Sequence, residues 1–333
     1  MSTKNTNGNS RRGNRRRLAL CGFVLALAAS IVLATQIARP FQEEHPATLA
    51  ELLSLPPAAL SNLSICELNL LCATRLSAGN ELDIKQCLVT IDSWAQHVRS
   101  ETERHLYRYQ QNPAEFENSP GYFRMLMLAV VLAEDYGVHY DPERMRTPET
   151  ARMDDRFFAD PPKVFLHGLL GPHRVGTCSS LPVLYVAVGR QLGYPLKLVT
   201  TKGHLFVRWE GAGERFNVEA TSRGSNRFDD DHYRHWPFEI SPEEEQTEGY
   251  LQSLTPAGEL SAFLSIRAMS LREAGRLPEA VESLAAAARL SPQCHSYQAL
   301  LADLQTELAR QAETTTPSPP NTNQKNQNQT LRL

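Results

Sequence analysis

Apolar positions recur with two different periods along this chain, and the change of period divides it. In SICELNLLCATRL, residues Ile65, Leu68, Leu71 and Cys72 fall at helical spacing. Across residues 82–108 a second stripe runs through Leu88, Ile91, Ala95 and Val98 with charged residues between, which predicts an amphipathic helix. NSPGYFRMLMLAVVLAEDYG predicts a third helix, apolar on nearly all sides from Met125 to Ala133. That run is too short to cross a bilayer, so it predicts a buried core helix, with Met125 and Met127 as packing. Asp141 and Pro142 then open a loop and a short helix.

Further on, the period drops to two. In GHLFVRWE, residues His204, Phe206 and Arg208 share one face of a strand, and Leu205, Val207 and Trp209 share the other. In ERFNVEAT, Arg215, Asn217 and Glu219 alternate with Phe216 and Val218, and Gly211 and Gly213 mark a hairpin between the two runs. A connection of about four residues would set Glu219 directly across from His204. The preceding stretch, GTCSSLPVLYVAVGRQLGYP, reads as a helix with Leu184, Val188 and Leu192 on one side, ending at Gly193 with Pro195 beyond. With Ser179 as N-cap, Pro182 takes the third helical position, where a missing N–H costs no hydrogen bond. Cys178 then lies at the positive end of the helix dipole, where a thiolate is favoured over a thiol.

A cysteine at a helix mouth, a histidine opening a strand and an acid on the next strand are the parts needed for thiol acyl transfer. The histidine takes the thiol proton and returns it to the leaving amine, while the acid orients the ring. Taken singly, each residue has a plainer role. Cys178 would be a small buried hydrophobe, His204 a strand-end histidine on a backbone carbonyl, and Glu219 an ion-pair partner of Arg208 or Arg215. The backbone N–H of Cys178 or Ser179 is the expected oxyanion donor. No side-chain donor is evident, and His173 is expected at the surface.

These segments resemble the transglutaminase-like superfamily, whose core is papain-like, and GTCSSLPVLYVAVGRQLGYP with GHLFVRW is closest to its SirB-type branch. The resemblance spans residues 63 to about 310. It implies an α+β fold in which a Cys-bearing helix packs on a small antiparallel sheet. It also implies Cys178 as nucleophile, His204 as base and Glu219 as third member, with Glu standing where the family more usually has Asp.

The flanks extend this organisation. Five arginines (Arg11, Arg12, Arg15, Arg16, Arg17) precede residues 18–38, which are apolar apart from Ser30, Thr35 and Gln36. That length crosses a hydrocarbon core, and the positive-inside rule leaves the arginines cytoplasmic and the main body extracytoplasmic. An uncleaved signal-anchor is expected rather than a cleaved signal, because Gln36 spoils the small-x-small cleavage pattern. Beyond the strands, SRGSNRFDDDHYRHWPFEISPEEEQTEGY is aromatic and poorly periodic. It reads as a solvated loop rather than a metal site of Asp229, Asp230, Asp231, His232 and His235, with Tyr233, Trp236 and Phe238 in packing or as a cleft wall. Ala268, Gly275, Ala280, Leu284, Ala287 and Pro292 resemble the small-residue and proline positions of a TPR motif. The Asn-, Gln-, Thr- and Pro-rich end reads as disordered.

The expected organisation is therefore a basic segment (1–17), a transmembrane helix (18–38), an N-terminal helical region (45–155), a transglutaminase-like core (156–250), TPR-like helices (256–311) and a disordered tail (312–333). A net charge of −3 gives no reason to expect nucleic acid, and no Gly-rich phosphate loop or zinc spacing occurs, so neither cofactor nor metal is expected. Cys66, Cys72, Cys87, Cys178 and Cys294 lie beyond the apolar segment, and five thiols cannot all pair within one chain. The expected function is cysteine-dependent acyl transfer or amide hydrolysis on a protein or peptide, at a membrane. The alternative is a membrane-tethered, non-catalytic binding scaffold on the same fold.

Overall fold

The computed structural model describes residues 45–76, 82–144, 156–224 and 226–315. The basic segment, the apolar stretch at 18–38 and the end of the chain past residue 315 lie outside the described residues. Among the described residues no helix is long and apolar enough to cross a membrane.

Helix starts follow local capping chemistry. Helix α1 (Leu49–Ser54) starts on Thr48, and α2 (Ile65–Ala73) on a reciprocal Ser64–Glu67 capping box. Every residue of α2 except Glu67 is buried, so it serves as a central pillar. Helix α3 (Ile84–Gln111) starts on Asp83 and buries Ile91, Trp94, Ala95 and Val98, as its amphipathic stripe requires. Helix α4 (Pro120–Val130) starts on Ser119 and passes into a π-turn, Val131–Asp135; Met125 and Leu128 are fully buried.

Next come β1 (His139–Tyr140), the short helices α5 (Pro161–Val164) and α6 (Leu166–Leu170), and β2 (Val175–Gly176), which pairs parallel with β1. Helix α7 (Leu181–Gln191) follows, ending at Leu192 with Gly193 at φ +77°. Three strands then form an antiparallel sheet in the order β3 (Leu196–Thr201), β4 (His204–Gly211), β5 (Glu214–Val218). The pattern of LKLVTT does not predict β3, because its apolar and polar positions do not alternate cleanly.

Both faces of the sheet are covered. Leu205, Val207 and Trp209 join the main core with α7, α2 and the C-terminal helices. Phe206 and Val199 pack on the opposite side against Tyr233, Ile240 and Leu251. The cover on that side is the segment expected to be a solvated loop, and it instead forms α8 (Asp230–His235) and α9 (Pro242–Glu248). It is held down by Arg208, a buried guanidinium bonded to Asn217 Oδ1 (2.8 Å), Leu251 O (2.8 Å) and Asp230 Oδ1 (2.6 Å). The acid of one position in the DDD run thus answers a buried cation, which periodicity cannot reveal.

The hairpin also differs. The β4–β5 connection is the two-residue turn Ala212–Gly213, with φ +54° and +81°, and Gly211 pairs with Glu214. Paired positive φ values match the right-handed twist of a hairpin. The consequence is a register two residues away from the expected one. Helix α10 (Pro256–Glu273) and α11 (Leu277–Leu290) form an antiparallel pair in which Ser261 Oγ donates to Ala287 O (2.8 Å). Helix α12 (His295–Thr315) continues to Thr315, past residue 312, the expected start of the tail. Arg267 donates to Cys72 O and Thr74 O (both 2.7 Å), and Arg190 forks onto Glu259 (3.1 and 2.6 Å), which joins this helical layer to α2 and α7.

Candidate active site

Cys178 sits in the turn that feeds α7. The helix begins one residue later than expected, with Ser180 at its N-cap and Pro182 at the second helical position. Ser180 Oγ does not cap the helix. It donates to Lys163 O (2.7 Å) and accepts from Thr177 N (3.1 Å), while Thr177 Oγ1 also donates to Lys163 O (3.2 Å). The turn is thereby stapled to α5, and Thr177 O closes it by accepting from Ser180 N (3.2 Å) and Leu181 N (3.0 Å). Ser179 N donates to Thr177 Oγ1 (3.3 Å), so among the described residues the amide of Cys178 is the one in this turn with no acceptor. The Cys178 side chain itself is half-buried.

His204 opens β4 and is buried, with Nε2 2.9 Å from Glu219 Oε2. The Cys178 thiol is close enough to the ring to raise its proton affinity. With Nε2 committed to the carboxylate, Nδ1 is the nitrogen left for sulfur. Trp236 meets the imidazole edge-on at 4.6 Å, and the Tyr233 ring lies nearly parallel to it at 6.2 Å. Of the three residues named as a cleft wall, Trp236 therefore borders the site and Tyr233 is fully buried behind it.

Glu219 lies one residue past the end of β5, and its N–H donates to Asn226 O (2.9 Å). Its side chain, longer than the aspartate more usual in the resembled family, folds back on its own turn. Oε1 accepts from Thr221 N (2.9 Å) and Thr221 Oγ1 (2.5 Å), and Oε2 accepts from His204 and from Tyr233 Oη (3.1 Å). It makes no ion pair with Arg208 or Arg215; both turn to Asp230. The sequence pattern offers Thr221 no site role, and offers Tyr233 packing or a cleft wall rather than a hydrogen bond to Glu219. Thr221 could have been found from the Glu-x-Thr spacing of a side-chain turn, whereas Tyr233 gives no local signal.

The electrostatics follow from this packing. Burial works against an imidazolium at His204 and is the largest single influence, yet the Glu219 carboxylate, then the nearby Cys178 thiol, outweigh it and carry the ring up to about 10. Burial likewise disfavours the Glu219 carboxylate, but His204 and the Thr221 donors hold it below its ordinary value. Tyr140, paired with Gly176 at the entrance to the Cys178 turn, has its phenol pushed up by burial first and by Cys178 second. Among the described residues no group of three or more His, Cys, Asp or Glu side chains could hold a metal ion; Asp229 caps α8 instead. His173 is exposed.

A thiol acting on an imidazole whose other nitrogen is held by a buried carboxylate can pass its proton to the ring and become a nucleophile. A comparison with protein families matches residues 85–261 to the transglutaminase-like superfamily, a span that takes in all three residues. No curated protein and no solved structure matches the chain. Since that family match covers more than half of its length, the chain belongs to the transglutaminase-like superfamily.

Proposed function

We propose that this protein is a membrane-anchored thiol enzyme that cleaves an amide of a protein or peptide and passes the acyl group to water or to an amine. Cys178 Sγ gives its proton to His204 Nδ1 and adds to the amide carbonyl carbon. The carbonyl oxygen takes up negative charge, with the Cys178 N–H as donor. Collapse breaks the C–N bond, and the leaving amine takes the proton from His204, leaving a thioester on sulfur. Water attacks to give an acid, or an amine attacks to give a new amide, each restoring the thiol. Glu219 holds the ring and offsets its charge. The observation that carries this reading is the buried Nε2–Oε2 contact of 2.9 Å on a ring whose proton affinity the Cys178 thiol also raises.

The SirB-type assignment is supported by GTCSSLPVLYVAVGRQLGYP, and a TPR-like reading of α10 and α11 by Ala268, Ala280 and Ala287, all fully buried, with Gly275 at φ +73° between the helices. The anchor and an extracytoplasmic main body are supported by the arginine-rich start and the apolar stretch at 18–38. The test is iodoacetamide labelling of the full chain in detergent from pH 4 to 10. Rapid Cys178 labelling well below the pH at which free cysteine reacts, slowed about tenfold or more by His204→Ala, is the expected result. Ordinary reactivity, unaffected by that substitution, leaves a tethered scaffold.

A further inference from the structure

Tyr233 donates to the same carboxylate oxygen that holds His204. Its Oη lies 3.1 Å from Glu219 Oε2, and His204 Nε2 lies 2.9 Å from that atom. The phenol has no freedom to leave. Its ring is fully buried and stacked on Phe206 at 3.8 Å and 4°. Its carbonyl accepts from Thr201 Oγ1 (2.7 Å), and Asp230, three residues earlier in α8, is bonded to Arg208 and Asn217 (2.6 and 2.8 Å). With Thr221 on the other oxygen, the carboxylate has four donors. Such a carboxylate is held ionised and cannot rotate away from the ring.

Two donors on one oxygen compete for its charge. A carboxylate facing His204 alone would grip the imidazolium harder, and a ring that keeps its proton too tightly is a poor acid for the leaving amine. We propose that Tyr233 is a positioning residue that restrains the hold of Glu219 on His204, keeping the ring able to both accept and release a proton. This rests on the triad reading given above. The charged and titratable groups around the pair are Cys178, Tyr140, Tyr185, Arg208, Asp230 and His232; none of them is altered by the test.

The experiment is NMR titration of the full chain labelled with 15N-histidine, with His204 assigned from His204→Gln. Tyr233→Phe keeps the ring stack and removes one donor, so His204 should titrate about half a pH unit higher, a proton held about threefold more tightly. Replacing Tyr233 with 3-fluorotyrosine strengthens the donor without removing it, and should move the same titration lower; it serves if Tyr233→Phe does not fold. A His204 titration that stays put or moves the opposite way overturns the proposal. The two readings fail separately: Cys178 labelling that ignores His204→Ala removes the enzyme, whereas an unmoved titration with labelling still slowed by His204→Ala removes only the role of Tyr233.

Discussion

His204 and Glu219 meet diagonally rather than face to face. Val207 pairs with Val218, so Glu219 stands two residues out of step with His204, yet Nε2 and Oε2 are 2.9 Å apart. A displacement of two residues keeps every side chain on its original face, whereas one residue would have turned Glu219 to the opposite side of the sheet. The longer glutamate covers the diagonal, and Thr221 props it from behind. An aspartate at 219 would have one methylene fewer to span the same gap.

The pair should leave a signature in stability against pH. His204 is raised above its ordinary 6.5, so its contribution is complete below that pH and is lost as pH rises through about 10. Glu219 is depressed from 4.5, so its contribution is present above that pH and lost as pH falls through the lower, folded value. Glu219→Gln should therefore cost about 3 kcal/mol in urea unfolding where both charges are present. The gap from the wild type should be widest between pH 4.5 and 6.5 and should close toward pH 10. A gap that does not narrow on the alkaline side would mean that His204 is not the group Glu219 serves.

Thiol mapping should single out one cysteine among those described. Burial pushes Cys72 up to about 12 and Cys66 higher still, burial and then Glu248 carry Cys294 to about 11, and burial raises Cys87. Under native conditions at neutral pH, limited iodoacetamide followed by peptide mass spectrometry should find Cys178 modified first. Cys66 and Cys72 should label only once the chain is unfolded. Early labelling of Cys66 would show that α2 is not the buried pillar described above.

The Cys178 turn can be disturbed from a distance. A Cβ on Gly168 would lie 1.8 Å from the backbone oxygen of Pro162, a contact that no side-chain rotation relieves. Gly168→Ala must therefore displace α5, whose Lys163 carbonyl holds both Thr177 Oγ1 and Ser180 Oγ. The expected cost is about 2 kcal/mol in thermal or urea unfolding, together with altered Cys178 labelling at unchanged His204 chemistry. Gly137→Ala is a control for labelling, since a Cβ there meets nothing within 4 Å, although its φ of +68° carries its own strain.

Local pattern determined much of this protein. The stripes of α2, α3 and α4, the alternation in β4 and β5, the stop at Gly193 and the break at Gly275 all depend on neighbours a few residues apart, and those interactions are written in the order of side chains. The placement of Cys178 ahead of a helix and of His204 at the start of a strand was legible for the same reason. The strand β3 was not, because Leu198 and Val199 stand side by side in LKLVTT and break the alternation that marks a strand. What only the tertiary structure decided was where distant groups end up. The backbone dihedrals of Ala212 and Gly213 set the register, Lys163 anchors the cysteine turn, and the buried Arg208 pulls Asp230 and its helix onto the sheet. Tyr233 reaches Glu219 only through that docking. A buried hydrogen bond between residues on separate elements is selected by desolvation and fit in three dimensions, which no period along the chain encodes.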